Sequence, residues 1–410
     1  VRRACAIALC ILLAGCVTVD LAHPFRPPPA PEGFDSDRTI WPARWAPQRW
    51  RTRGVVVADA NETGRLVGVR VPPDRAVNPL EEDIEDARAL AETMPGGSVA
   101  FSWEGPGSYV FRRIEASPRS LKPDLLFRYV SGTPVRENNR TVVRLERTWF
   151  AYYEAEGGPP RGIALVIPGM FGTPRESVDG FVRRMRREGV AVVRMLSHPS
   201  RFTERVEFDI DLDRMDRSAE QVASVLTGRA AECAYAAEAA FDYLARERPE
   251  TVGVPRIGVG MSGGAMVLPT VMAREPGAYA AAVNIAGGCD FWSINFESNY
   301  ADFIDAIKVH FTPREPTGDD LAAFARAYLA HAPLDSYNTA PVVAAVPTLM
   351  IHGSGDRAVP AYLGDELWER LGRPERRVVP LGHELLFLTL GTQMDAIVEF
   401  LERHALAPES

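Results

Sequence analysis

Cysteine is scarce in this chain. There are five among 410 residues, and Cys5, Cys10 and Cys16 all fall near the start. Only Cys233 and Cys289 remain for a folded body, which excludes a small fold held by a disulfide framework. The two are expected as separate buried thiols, because spacing alone does not supply a disulfide's geometry. Positive charge is lacking as well. Lys and Arg number 46 against 54 Asp and Glu, a formal net charge of -8, so no basic surface for nucleic acid is implied. The run Arg183 to Arg187 is an apparent exception, read as the solvated face of an amphipathic helix. No apolar run near the start is long enough to span a bilayer: Ala4 to Leu13 is too short. Apolar residues themselves are plentiful, at 46% of the chain, enough for a sizeable core.

The first residues read as a targeting segment rather than as fold. Arg2 and Arg3 form a basic region, Ala4 to Leu13 is a short apolar one, and Leu13-Ala14-Gly15-Cys16 follows. That pattern resembles a bacterial lipobox. The resemblance implies cleavage before Cys16, lipid on its thiol and amine, and a place in the cell envelope. Val17 rather than Asp follows the cysteine, which implies the outer membrane, facing the periplasm, in a Gram-negative host. Residues 1–15 are thus expected as signal peptide. Residues 16–49 are expected as a tether, whose proline-rich stretch from Pro27 to Pro31 forms a stiff spacer away from the membrane.

Residues 50–140 read as an α+β accessory region. Two apolar runs flank Asn61 to Gly64 as a β-hairpin. Asn78-Pro79 begins a helix carrying Leu80, Ile84, Ala87, Leu90 and Met94, which Gly96-Gly97 ends. From Thr141 the pattern becomes regular. Buried-strand runs near residues 162–169, 190–196, 256–262, 280–288, 346–353 and 376–382 alternate with helical stretches, including a long alanine-rich one over 219–248. Strands alternating with helices predict an α/β fold: a doubly wound, mostly parallel sheet, with its chemistry at the carboxyl ends of the strands.

Gly260-Met261-Ser262-Gly263-Gly264 stands where a strand meets a helix. A serine on such a turn needs tiny residues two before and two after it, and its hydroxyl then points out at the helix N-terminus. The hydroxyl needs a base. His383 lies on the turn after the last strand, where a base can lean over the sheet, whereas His352 reads as a structural residue ending a strand. The imidazole in turn needs an orienting carboxylate, and Asp356 follows a strand shortly before His383. Asp290, in the loop after the preceding strand, is the rival acid. In this order Ser262, Asp356 and His383 resemble the α/β-hydrolase superfamily, over residues 141–410. The resemblance implies a serine hydrolase forming an acyl-enzyme, with backbone N–H groups of Gly263 and of Met170 (Phe171 second) as an oxyanion hole. Proline precedes this loop's Gly169 where the family usually has histidine, which leaves a backbone donor in place.

Between residues 289 and 340 the alternation breaks, and the stretch resembles a helical cap over an active site. Phe291, Trp292 and Phe296, with Tyr300 and Phe303, are candidates to line an acyl pocket, as is Phe171. Asp209, Asp211, Asp213 and Glu220 fall at calcium-loop spacing, but Arg214 stands where glycine is required. The segment reads instead as extended chain burying Phe208, Ile210 and Leu212, with Ser218 and Gln221 as the capping box of the long helix. No metal or organic cofactor is implied. The expected substrate is a small or lipid-like acyl compound, a carboxylic ester first. A peptidase, amidase or thioesterase on the same residues, or a lipoprotein that only binds partners, are the other readings.

Overall fold

The structure is a computed structural model. It describes residues 18–20, 56–60, 66–70, 99–102, 121, 123–137, 140–170, 173–196, 206–300 and 307–406. The expected signal peptide, Cys16, the proline-rich stretch, the expected helix after Asn78, Phe171 and Phe303 lie outside the described residues.

The chain enters as strand β1 (Thr18–Asp20), then β2 (Val56–Ala60) and β3 (Leu66–Arg70). The latter two pair antiparallel, as the expected hairpin. Next come β4 (Val99–Ser102), then β5 (Leu125–Glu137) and β6 (Arg140–Tyr153), a long antiparallel pair. The parallel unit begins with β7 (Gly162–Ile167), helix α1 (Arg175–Arg187), β8 (Val190–Met195) and β9 (Val206–Asp211). Helix α2 (Met215–Glu247), β10 (Arg256–Met261), α3 (Gly263–Ala273) and β11 (Tyr279–Ile285) follow. The insertion contains α4 (Phe291–Glu297), β12 (Ile307–Thr312), α5 (Gly318–His331) and α6 (Ser336–Thr339). The chain finishes with β13 (Thr348–Gly353), α7 (Ala361–Arg370), β14 (Glu375–Val379), α8 (His383–Leu388) and α9 (Met394–His404).

Among the described residues the main sheet runs β1-β14-β13-β11-β10-β7-β8-β6-β5-β2-β3, with β4 beside β6. The stretch from β14 to β8 is parallel throughout. This is the doubly wound, mostly parallel sheet expected. Alternation within its strands explains the two layers that cover it. Ile163, Leu165 and Ile167 of β7 face one way, into a core with α2, α3 and the insertion. Ala164 and Val166 face the other, into a core with α1, α8 and α9. Both faces are dry, so these strands read as unbroken apolar runs. Alanine dominates the buried stripe of α2, from Ala219 and Ala223 to Ala239 and Ala240, which lets a long helix lie close against its neighbours.

Three expectations change. The stretch expected as an extended loop buries Phe208, Ile210 and Leu212 as expected, but it is a paired strand: β9 runs parallel to β12 from the insertion, Phe208 opposite Val309. Helix α2 begins at Met215, not Ala219, after a 3-10 turn over Leu212–Arg214. Ser218 is therefore inside the helix rather than its cap, and its hydroxyl accepts the Asp211 N–H at 3.1 Å. Finally, Thr18–Asp20 is already paired with β14, so the proline-rich stretch follows the first strand instead of preceding the fold.

The parallel strands place one location above others. β7 has β8 on one side and β10 on the other. The parallel unit thus starts in the middle at β7, moves outward to β8, and returns across its starting strand to β10. The loops after β7 and β10 separate at that switch point and leave a crevice.

Candidate active site

Ser262 stands at the end of β10, at φ 54° and ψ -121°. This left-handed backbone is strained for a residue with a Cβ. The neighbouring glycines show why the sequence tolerates nothing larger. A Cβ on Gly260 would lie 2.5 Å from the Ala265 Cα, and one on Gly264 would collide with the Ile167 carbonyl. The turn is held by the Ser262 N–H on Ile285 O at 2.8 Å and the Met266 N–H on Ser262 O at 3.0 Å.

The structure brings Ser262, His383 and Asp356 together. His383 Nε2 is 2.8 Å from Ser262 Oγ, and its Nδ1 is 2.7 Å from Asp356 Oδ2. A carboxylate only accepts, so Nδ1 carries the proton, and in neutral imidazole Nε2 then accepts from the serine hydroxyl. The other carboxylate oxygen of Asp356 accepts the N–H groups of Ala358 and Val359, both at 2.9 Å. Both side chains are buried. The loops carrying them are tied to each other by Ser354 N–H on Val379 O and Gly355 N–H on Leu381 O. His383 is the first residue of α8 rather than part of an open turn.

Gly263 and the loop after β7 meet beside the serine. A Cβ on Gly263 would stand 2.9 Å from the Met170 amide nitrogen, so the two backbones pass in contact. As the first residue of its helix, Gly263 has no intrahelical acceptor for its N–H. Thr173 Oγ1 accepts the Gly169 N–H at 3.0 Å and holds this loop.

A cavity of about 520 Å³ opens above these groups. Its walls are mostly apolar: Leu226, Met266, Val267, Phe291, Ile294, Ile307, Val359, Phe387 and Leu388, with Arg229, Asn295, Tyr300 and Glu384 as polar points. Of the aromatic candidates, Phe291 and Tyr300 line it and Trp292 and Phe296 do not. Trp292 is buried in the cap's own core, 4.5 Å from the Phe324 ring and 4.6 Å from that of Phe296. The signal that separates them was in the spacing: Phe291, Ile294, Asn295 and Ser298 share one face of a helix, Trp292 and Phe296 another. Leu226 and Arg229 on α2, and Phe387 and Leu388 on α8, were missed. The last two follow His383 at four and five residues, where a helix starting there returns to the same side.

Tyr300 ties the insertion to the histidine. Its hydroxyl donates to Glu384 Oε1 at 2.6 Å, and its ring meets the His383 imidazole edge-on at 5.8 Å. That hydrogen bond holds the Glu384 carboxyl below its ordinary range, while burial and the Glu384 charge push the phenol up. The Phe387 ring also meets the imidazole edge-on, at 5.1 Å between centroids.

Asp290, the rival acid, is occupied elsewhere. It caps α4, accepting from Ser293 N–H at 3.0 Å and Ser293 Oγ at 2.5 Å. Burial, and then the neighbouring Asp335, push its carboxyl up to about 7. Asp335 accepts the N–H groups of Asp290 and Phe291 and the Tyr328 hydroxyl, and it is a structural hub. His352 is buried at the end of β13 with neither ring nitrogen bonded among the described residues, and burial pushes its imidazole down. Cys233 and Cys289 are separate buried thiols. Among the described residues no cluster of three His, Cys, Asp or Glu side chains is placed to hold a metal ion.

No protein-family model matches the chain, and no curated protein does. Solved structures do match at low identity. Est1E from Butyrivibrio proteoclasticus is 11% identical, over 66% of this chain and 98% of that one, with a TM-score of 0.41. The esterase domain of a Rhodothermus marinus protein is 15% identical, over 67% and 99%, at 0.39. The Pyrococcus horikoshii acylaminoacyl peptidase is 14% identical, over 69% of this chain and 49% of that one, at 0.44. These are likenesses of outline, and the chemistry is read from the side chains themselves.

Proposed function

We propose that this chain is a serine hydrolase that cleaves acyl esters through Ser262, His383 and Asp356, and that lipid on Cys16 anchors it to a membrane of the cell envelope. One observation carries the enzymatic reading: an unbroken hydrogen-bond line from Ser262 Oγ through the imidazole to Asp356, opening on an apolar cavity.

Ser262 Oγ attacks the acyl carbon while His383 Nε2 takes its proton. Asp356 keeps the tautomer and offsets the charge of the imidazolium. The oxygen of the tetrahedral intermediate faces the N–H groups of Gly263 and Met170. His383 returns the proton to the leaving alcohol, and the acyl group stays on Ser262. Water, deprotonated by the same imidazole, then releases the acid and restores the hydroxyl. The apolar walls suit a hydrocarbon acyl chain, and pockets of this size hold small to medium ligands. The anchor is supported by the lipobox-like run ending at Cys16.

The test is a fluorophosphonate probe alongside short p-nitrophenyl esters. Labelling and turnover by the parent chain, with both lost in Ser262→Ala, are expected. A folded parent chain that neither labels nor turns over sinks the proposal. Aminoacyl anilides in the same assay distinguish amide cleavage. For the anchor, Cys16→Ser is expected to leave the protein unprocessed, or soluble on membrane fractionation.

A further inference from the structure

Strand β1 lies antiparallel on β14, with Thr18 opposite Val378, Val19 opposite Arg377 and Asp20 opposite Arg376. Moving back from Thr18 toward Cys16 therefore runs toward the carboxyl end of β14. That is the end which continues through Leu381 to His383. Cys16 is two residues before Thr18, a span of at most about 7 Å. A lipid on Cys16 is therefore held within that reach of Thr18, at the end of β1 that lies beside the carboxyl end of β14. The proline-rich stretch lies on the far side of β1 in the chain and adds nothing to that reach.

A second observation concerns the same end of the sheet. Among the described residues the exposed large apolar side chains are Val225, Val252, Phe296, Tyr362, Leu385 and Leu388. Leu385 and Leu388, 54% and 65% exposed, belong to the helix that His383 begins, and Leu388 forms part of the cavity wall. Tyr362 opens α7 just after the Asp356 loop, and its hydroxyl bonds Glu297 of α4 at 2.7 Å. Single exposed leucines need no explanation, but two on a helix that borders the cavity do. The chain's net charge of -8 gives anionic headgroups no reason to attract it, so apolar contact has to set the orientation.

We infer that the cavity mouth faces the bilayer that carries the anchor, with Leu385 and Leu388 in its headgroup layer, and that the enzyme takes amphiphilic acyl esters from that bilayer. The inference rests on the lipid-anchored hydrolase reading above. The partner is a lipid surface, not a second protein.

The test uses the lipidated chain in vesicles of phosphatidylethanolamine and phosphatidylglycerol. Leu385→Cys and Val252→Cys are each labelled with an environment-sensitive fluorophore; the body's own two cysteines are buried. Val252 lies just ahead of β10, at the opposite end of the sheet. Nitroxide-bearing lipids are expected to quench the label at position 385 severalfold more than at 252. In Leu385→Glu, hydrolysis of a water-soluble short ester should be kept, while that of a long-chain ester in the vesicles falls about tenfold, on the scale of one leucine's transfer. Equal quenching at both positions, stronger quenching at 252, or a Leu385→Glu chain that cleaves both esters like the parent overturns the orientation. Vesicle binding that survives Cys16→Ser unchanged overturns the anchor instead, and with it this inference. A parent chain inert toward the soluble ester overturns the hydrolase reading, so the three failures are distinct.

Discussion

At the scale of single residues, two buried aspartates follow two parallel strands, and only Asp356 reaches an imidazole. Asp290 holds its proton well above the usual carboxylate range, because of burial and then of Asp335. Its carboxyl rises from an ordinary 3.8 to about 7 on folding. Between those values the unfolded chain ionises and the folded one does not, so stability falls as pH rises through that window and levels off above it. Asp290→Asn removes this loss and keeps an acceptor for Ser293 N–H, at a left-handed position that asparagine tolerates. Thermal melts should show the variant gaining on the parent between acid pH and about pH 7, then holding a constant lead. Its ester turnover should match the parent's. Asp356→Asn should instead lose about 10⁴-fold in kcat, because an amide at Oδ2 favours the wrong imidazole tautomer.

At the scale of elements, the strand-to-helix turn after β10 and the loop after β7 work as a pair. Gly263→Ala places a methyl against the Met170 backbone and is expected to force the two amides apart. The loss of one oxyanion donor should lower kcat by about 10²–10³-fold with the fold intact, as circular dichroism and single-turnover kinetics would show. The insertion is tied to the histidine and acid loops by Tyr300 on Glu384, Tyr362 on Glu297, and Asn299 N–H on Arg357 O. Tyr300→Phe keeps the ring beside His383 and removes only the hydroxyl. With the bond partly solvated, kcat/KM should fall by roughly threefold to tenfold, and Tyr300→Ala should fall further in kcat. Equal values for the two variants would mean that the ring contact contributes nothing.

For the whole molecule, the two cores on either side of one sheet make the active end depend on helices far from it. Leu401 of α9 is fully buried in the layer that also holds Leu386 and Phe387 of α8. Leu401→Ala should cost about 2–5 kcal/mol, read from urea midpoints. Because α8 carries His383, the same variant should lose ester turnover on warming before the parent does.

Local pattern was enough for much of this. The strands and helices of residues 141–410 are legible because a strand buried on both faces is a short apolar run and a helix repeats every 3.6 residues. Ser262, Asp356 and His383 are legible because each follows a strand on the turn its chemistry needs. Sequence reading failed where pairing or packing between distant segments set the local structure. β9 becomes a strand only by pairing with β12, supplied by the insertion far along the chain. Trp292 turns inward because α5 brings Phe324 alongside. The level at which β1 lies on β14 is likewise a matter of register. Composition and spacing determined which elements form and which turns carry Ser262, Asp356 and His383, since those depend on near neighbours. Tertiary structure alone decided what lines the cavity and how β1 lies against the sheet, since such contacts join residues that only folding brings together.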